Sequence, residues 1–403
     1  MSKIKLTQVC DITTGKLDAN AAEENGRYPY FTCAPEPLTI NSYAFDEDAI
    51  LLAGNNAAGN FHCQRYNGKF NAYQRTYVIT ARDGYDIEYI FYCLKINLEL
   101  LRKKAQGSQT KFLTMQLLDA FEIDDIPLAE QKRIAYTLSD IDSKIENNKK
   151  INAELESMAK TIYDYWFLQF EFPNEEGKPY KSSGGKMVWN EELKREIPEG
   201  WEVSHVKDCI KHINTGLNPR DNFVLGNGSI KYITVKNLTT DGTIDFSGCD
   251  MIDEEARVIV HNRSDVSKKD ILFASIAPLG RCAIVHENPT DWDINESVFC
   301  IRPNNNIVST EYLYMFFMSD YFIKKAEHNS TGSVFSGIRI SSLEDMIITI
   351  PPEKIKDNFV KAIRETLYMK YENEKQNQEL ASLRDFLLPM LMNGQIGFKD
   401  GER

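Results

Sequence analysis

LAEQKRIAYTLSDIDSKIENNKKINAELESMAKTIYDYW, residues 128–166, decides the fold. The stretch follows Pro127, contains neither Gly nor Pro, and carries Ile134, Leu138, Ile141, Ile145, Leu155 and Ile162 in alternating steps of four and three. That spacing is a heptad seam, so it predicts one long helix that needs a partner helix. The same seam brings Asn148 and Asn152 into core positions, where a polar side chain costs stability but fixes register and orientation.

The partner lies in the same chain. An offset of about 225 residues maps the stretch onto a second helical pattern from Glu353 to Met392. It matches Gly107-Ser108 with Gly332-Ser333, Leu118 with Leu343, Ile123 with Ile348, Pro127 with Pro352, Asn148 with Asn373 and Asn152 with Asn377. A period this long is no solenoid repeat. It reads as a duplicated globular unit, each copy followed by a helix.

Antiparallel pairing sets Asn148 against Asn377 and Asn152 against Asn373, whereas parallel pairing stacks Asn148 on Asn373. The antiparallel form is the expected one, because the first helix leads onward into the second globular unit. A helix of about 39 residues spans roughly 58 Å at 1.5 Å per residue, which would hold the two units apart. Lys370 and Arg384 replace the seam residues Ile145 and Ala159 in the second copy, so the coiled coil should be imperfect at those layers.

Outward from the helices, the chain divides into a first globular unit (1–126), the first long helix (127–170), a linker (171–200), a second globular unit (201–351), the second long helix (352–394) and a tail (395–403). In the first unit, short β-rich runs at Tyr28-Pro-Tyr-Phe-Thr, Ala49-Ile-Leu-Leu-Ala and Thr76-Tyr-Val-Ile-Thr precede a helical run at 87–105. Landmarks recur in the second unit: Asp270-Ile-Leu-Phe-Ala-Ser for Ala49-Ile-Leu-Leu-Ala-Gly, Gly280 for Gly59, Asn295 for Asn71, Glu311-Tyr for Glu88-Tyr and Lys324-Lys325 for Lys103-Lys104. Helix and sheet mix without βαβ alternation, an α+β pattern. The segment Phe172-Pro-Asn-Glu-Glu-Gly-Lys-Pro-Tyr-Lys-Ser-Ser-Gly-Gly reads as the linker from its Gly, Pro, Ser and charge content.

The 403 residues suggest two or three domains, and 42% hydrophobic content is ample for their cores. Eight cysteines and six histidines show no C-x-x-C or H-E-x-x-H spacing, which points to free thiols in a reducing cytoplasm and to no metal site. No signal peptide or membrane span is visible. The net charge of −12 argues against a free-standing binder coated in positive charge, but it leaves room for local base reading with phosphate contacts shared among subunits.

Catalytic motifs are missing. The chain holds no phosphate loop, dinucleotide fingerprint, G-x-S-x-G turn or N-P-P-[YF] motif. Asp124-Asp125 and Asp253-Glu254-Glu255 are the nearest carboxylate groups, and both sit in surface-like runs. Recognition fits better. Arg and Lys read guanine edges, while Asn and Gln bond adenine bidentately. The candidates in the first unit are Asn55, Asn56, Asn71, Gln74, Arg75, Gln109 and Lys111. Those in the second are Arg220, Lys236, Asn237, Arg281, Asn295 and Arg339. Each can equally be an ordinary turn or surface residue. Lys103, Lys104, Lys324 and Lys325 suit phosphates or plain solvent better than bases. The aromatic end Ile162-Tyr-Asp-Tyr-Trp-Phe167 either packs within the chain or offers a protein partner surface.

Two globular units, each ending in Gly-Ser and Pro before a helix with N-x-x-x-N-x-E-L, joined by a Gly-Lys-Pro-Tyr-Lys-Ser-Ser-Gly-Gly linker and Ile-Pro-Glu-Gly-Trp, resemble the specificity subunits of type I restriction-modification systems. The resemblance covers essentially the whole chain. It implies a fold of two pseudo-twofold-related mixed target recognition domains separated by a long antiparallel two-helix coiled coil.

It further implies a non-catalytic subunit whose domains each read one half of a bipartite, asymmetric site in double-stranded DNA. The coiled coil would set the spacer and dock two methyltransferase subunits that methylate adenine, with motor-nuclease subunits added. S-adenosylmethionine, ATP and Mg would belong to those partners, with no cofactor on this chain. The first unit departs from the family pattern with Gly15-Lys-Leu-Asp-Ala, whereas Gly216-Leu-Asn-Pro-Arg220 keeps its Gly-x-x-Pro start, so the two units should read different sequences. The alternatives are the recognition subunit of a system with a fused methyltransferase-nuclease partner, or a coiled-coil interaction protein that makes no DNA contact.

Overall fold

The computed structural model describes residues 2–56, 59–107, 110–328 and 337–398. Ser108, Gln109, Gly332 and Ser333, all named from the sequence, lie outside the described residues. The chain divides into two compact units, Met1–Glu146 together with Asn377–Arg403, and Asn147–Gln376.

In the first unit β1 (Lys3–Lys5) is followed by β2 (Cys10–Thr14), β3 (Tyr28–Phe31), β4 (Leu38–Ile40), β5 (Phe45–Ala53), β6 (Asn55–Asn56), β7 (Cys63–Ala72), β8 (Thr76–Ala81), β9 (Lys111–Phe112) and β10 (Glu122–Asp124). Six of them make one sheet in the order β2-β8-β5-β7-β3-β4, antiparallel except for β3 with β7. Successive residues of β5 face opposite ways, as a strand requires. Ile50 and Leu52 join Ile79, Tyr89, Ile90 and Leu94 in the larger core, and Ala49 and Leu51 join Phe31, Phe70 and Val78 on the other face. The helix Ile87–Ile96 starts where the Asp86 carboxylate accepts from the amides of Glu88 and Tyr89.

The second unit opens with a hairpin, β11 (Met187–Asn190) and β12 (Arg195–Pro198). There follow β13 (Glu202–His205), β14 (Ile210–Thr215), β15 (Ile230–Ile233), β16 (Asp250–Ile252), β17 (Ile271–Ala274), β18 (Cys282–Ile284), β19 (Trp292–Ile294), β20 (Val298–Pro303) and β21 (Ile347–Ile350). Its sheets run β14-β20-β17-β18 and β16-β15-β19. This is the first unit's order with β7 cut into β18 and β19. The cut has a cause: the connection holds Pro289, which cannot donate to a strand ladder, and Asn288, which accepts from the amide of Lys268 at 2.7 Å.

Register confirms the duplication. Tyr30 lies beside Asn71 and Phe31 beside Ala72 in the parallel pair of the first unit, as Tyr232 lies beside Asp293 and Ile233 beside Ile294 in the second. Asn71 therefore corresponds to Asp293. Asn295, matched to Asn71 by sequence, stands at the position of Tyr73. The buried hydroxyls of Tyr30 and Tyr232 donate to the carbonyls of Asp18 and Leu217, tying the same loop down in both copies.

The long helices Leu128–Tyr163 and Glu353–Met392 contribute to both units. In the first, Ile134, Ala135 and Leu138 share the core with Leu388, Leu391 and Met392. Arg384 Nη1 meets Asp142 Oδ1 at 2.7 Å. In the second, Asn148 reaches Gln376 at 2.8 Å, Asn152 reaches Asn373 at 2.9 Å and Glu156 reaches Lys370 at 3.2 Å. Partner numbers fall as residue numbers rise. The pairing is antiparallel in each unit, and the two basic seam residues are accommodated as ion pairs.

The first long helix ends in a π turn at Asp164–Leu168. Its aromatic end is core: Phe167 packs edge-on against Tyr312 and Phe359, each with ring centroids 4.7 Å away. The segment 171–200 is also folded. Phe172 stacks on Tyr180 at 4.6 Å and on Trp201 at 5.4 Å, while Asn174 accepts from the amides of Glu176 and Lys178. Its Gly, Pro and Asn residues shape turns on an aromatic anchor.

Candidate nucleic-acid interface

In the first unit the chain leaving the end of β5 enters a separate two-residue ribbon, with Asn55 paired to Phe112 and Asn56 to Lys111. Gly54 admits this bend: its amide donates to the carbonyl of Arg75, and a Cβ there would stand 2.4 Å from that oxygen. The Arg75 guanidinium lies over the Phe112 ring at 5.5 Å. A Cβ on Gly59 would meet the side chains of Lys111 at 3.0 Å and Arg102 at 3.1 Å. Thus four predicted residues, Asn55, Asn56, Arg75 and Lys111, come together at one place.

Gln74 adjoins them, exposed, with its amide donating to Asp18 at 2.6 Å. Lys103 and Lys104 are exposed on the last turn of the helix Leu98–Lys104, where cations also suit the helix end. Among the described residues, Arg75, Lys103, Lys104 and Lys111 form no ion pair with a carboxylate. Other cations of this unit do. Arg65 holds Asp48 at 2.7 Å and Glu88 at 3.0 Å, and Arg82 holds Asp11 at 2.8 Å. Gln109 lies outside the described residues.

Asn71 is only 4% exposed; its Oδ1 accepts from the amide of Ala72. Asn237 is 2% exposed, accepts from the amide and hydroxyl of Thr234 and donates to the carbonyl of Asp245. Asn295 accepts from the amide of Ser297. These three amides hold turns.

In the second unit Arg220 and Arg339 are exposed, the latter as the residue capping the short helix Ile340–Glu344. Lys236 is exposed and 3.7 Å from Asp250. Lys324 is exposed, and Lys325 donates to the Tyr321 hydroxyl at 3.3 Å. Arg281 points inward: its Nη1 donates to the carbonyl of Val235 at 2.6 Å, and burial draws its pKa below the ordinary arginine value. That bond sets Arg281 beside Lys236 and Asn237. Arg220 and Arg339 do not join this group through any described contact.

Phe112 and Arg102 went unpicked among the sequence candidates, although a basic–aromatic doublet, Lys111-Phe112, was there to signal them. Asp253, one of the acidic run, is an N-cap that accepts from Ala256. Among the described residues there is no cluster of three or more metal-binding side chains and no helix long and apolar enough to cross a membrane. The geometry can present amides and cations to an anionic polymer.

A family model described as the type I restriction modification DNA specificity domain matches residues 1–157 and 198–381. Over 322 residues the chain is 30% identical to the MjaIX type I restriction enzyme specificity subunit of Methanocaldococcus jannaschii, covering 79% of this chain and 71% of that one. It is 27% identical over 411 residues to the EcoDI specificity subunit of Escherichia coli, covering 96% and 86%. The crystal structure of the S subunit of a type I restriction-modification system from M. genitalium aligns over 97% of this chain and 96% of that chain with a TM-score of 0.63 at 18% identity, a likeness of fold. With this family model over most of its length and a relative at 30% identity, the chain belongs to the type I restriction-modification DNA specificity family.

Proposed function

We propose that this chain is the non-catalytic recognition subunit of a type I restriction-modification complex, each domain reading one half of a bipartite, asymmetric DNA site. The ribbon of Asn55, Asn56 and Lys111, with Arg75 over Phe112, carries this reading. It collects amides and cations whose hydrogen-bonding patterns match adenine and guanine edges in the major groove. Gln74 extends this group. In the second domain the exposed Arg220, Lys236 and Arg339 take the corresponding role. Lys103, Lys104, Lys324 and Lys325 contact phosphates, which position the duplex without specifying sequence.

The paired long helices set the spacer between the half-sites and dock two methyltransferase subunits. Those partners carry S-adenosylmethionine and flip the target adenine out of the duplex, since a base cannot be modified inside the stack. Motor-nuclease subunits, with ATP and Mg, complete the restriction complex. The net charge of −12 fits a chain that leaves most phosphate neutralisation to its partners.

Salt titration of DNA binding by the assembled methyltransferase tests this assignment of roles. Replacing Lys103 and Lys104 with Ala should weaken all sequences alike and lower the logarithmic salt slope by about two. A loss confined to one sequence, or an unchanged slope, contradicts the phosphate role.

A further inference from the structure

The loop after β17 is the second domain's counterpart of Asn55–Asn56. The amide of Ser275 donates to the carbonyl of Ser297 as that of Gly54 donates to Arg75. The amide of Ile338 donates to Ser275 as that of Leu113 donates to Gly54, and Ile276 bridges Gly337 where Asn55 pairs with Phe112. By this register Ile276 and Ala277 stand where the first domain has its two asparagines. Glu296 and Ser297 stand where it has Gln74 and Arg75.

The chemistry is inverted. Ile276 is half-buried and Ala277 and Pro278 are exposed, so the tip is apolar where the first domain's is polar. It is also held rigid. Arg281 donates from Nε to the carbonyl of Pro278 at 3.1 Å and from Nη2 to those of Ile276 at 3.2 Å and Ala277 at 3.5 Å, while Nη1 anchors the whole to Val235. Three of its donor contacts hold the loop and the fourth ties it to Val235. A guanidinium spent in this way does not reach a base edge with the bidentate fork that guanine requires.

An exposed apolar tip, fixed in place and occupying the position of a base-reading ribbon, needs an apolar feature on DNA. In the major groove the 5-methyl group of thymine is that feature. We propose that Ile276, Ala277 and Pro278 read a thymine methyl group in the second half-site, with Arg281 as the positioning residue that holds them. The inference rests on the DNA-recognition reading above. It adds the chemical group recognised and reassigns Arg281 from contact to support.

The experiment uses the full chain assembled with its methyltransferase subunits and duplexes bearing the mapped target. Each thymine of the second half-site is replaced in turn by deoxyuridine, which lacks only the methyl group. Wild type should methylate one substituted duplex about fourfold more slowly, the equivalent of one buried methyl group. Ile276→Ala should shrink that thymine-to-uracil ratio, and Arg281→Ala should bring it close to one. Thymine ratios in the first half-site should stay at their wild-type values in both variants. 5-Methylcytosine opposite the tip should restore part of the rate lost with cytosine, because the methyl group is shared.

A ratio of one at every second-site thymine overturns the proposal. So does a second half-site without thymine, or a ratio that neither variant moves. Methylation of no split motif at all would instead remove the DNA-recognition reading on which the proposal stands.

Discussion

The side-chain amide of Asn373 donates to Oδ1 of Asn152 across 2.9 Å, and the Asn152 amide donates in turn to Glu374 Oε1 at 2.6 Å. These bonds exist only if the helices run antiparallel, since parallel pairing would set Asn373 against Asn148. Asn152 is 3% exposed, and the carbonyl of Lys370, which its amide also reaches at 3.4 Å, loses that partner inside the packed seam when it is replaced. Asn152→Ala should therefore destabilise the second unit by about 1–3 kcal/mol. Urea unfolding, read as a shift in midpoint, checks this. An unchanged midpoint would mean that the amide layer adds nothing to stability.

One turn along, Lys370 is 5% exposed and meets Glu156 at 3.2 Å. Burial raises the Glu156 pKa, and the Lys370 charge works in the opposite direction. Lys370→Met alone leaves a one-third-exposed carboxylate without its partner and should cost about 1–3 kcal/mol, whereas Lys370→Met with Glu156→Leu should be near neutral or stabilising. Denaturant midpoints of the single and double variants decide it. Equal losses in both would show that packing, and not the stranded charge, sets the cost.

Asp142 answers Arg384 in the first unit. Burial works against its charged form, but hydrogen bonds from Arg384 and Tyr92 and the field of Lys95 outweigh it and hold the pKa below the ordinary carboxylate value. A lowered carboxylate pKa means stability that is present above the unfolded value, near pH 4, and lost as pH falls through the folded one. Asp142→Asn should flatten the acid limb of unfolding of this unit below about pH 4. Acid titrations of the two proteins at fixed urea test it.

His286 stacks on Tyr371 with ring centroids 4.2 Å apart. Burial, assisted by Lys268, takes its pKa down to about 4, against the carboxylates of Glu311, Glu372 and Glu287. Between about pH 6.5 and pH 4 the unfolded chain binds the proton that the folded chain refuses, so stability falls as pH falls across that window. His286→Phe should keep the stack and remove this slope. A slope that persists in the variant would place the titrating group elsewhere.

Arg75→Ala removes the guanidinium that lies over Phe112. Loss of a bidentate base contact is worth about 1–3 kcal/mol, so methylation of the target should fall roughly tenfold or more, with relaxed preference at one base pair of the first half-site only. Rates on a panel of single-base target variants report this. A uniform fall across the panel would make Arg75 a phosphate contact.

The helices were legible because a heptad states its own partner geometry: Ile134, Leu138 and the paired asparagines fix the buried face, and the onward course of the chain into the second unit selects the antiparallel direction. The duplication was legible because offsets survive loop drift. Sheet order was not, since nothing local to Cys282–Ile294 says that Pro289 splits one strand into two. Folding of 171–200 was hidden for a similar reason: its composition reads as loose chain, and only the approach of Trp201 to Phe172 makes it an anchored turn. At the interface, residue type was readable and direction was not. Arg75 and Arg281 look alike in sequence, yet one lies over an aromatic ring and the other is bonded to backbone carbonyls, a choice made by neighbours distant along the chain.

The most direct measurement is a genome-wide map of modified bases in the host with and without the gene for this chain. The account predicts that deletion abolishes N6-methyladenine at one split, asymmetric motif and nowhere else, and that restoring the gene restores it. A methylation map unchanged by deletion in a host that expresses the methyltransferase subunits would contradict the recognition role.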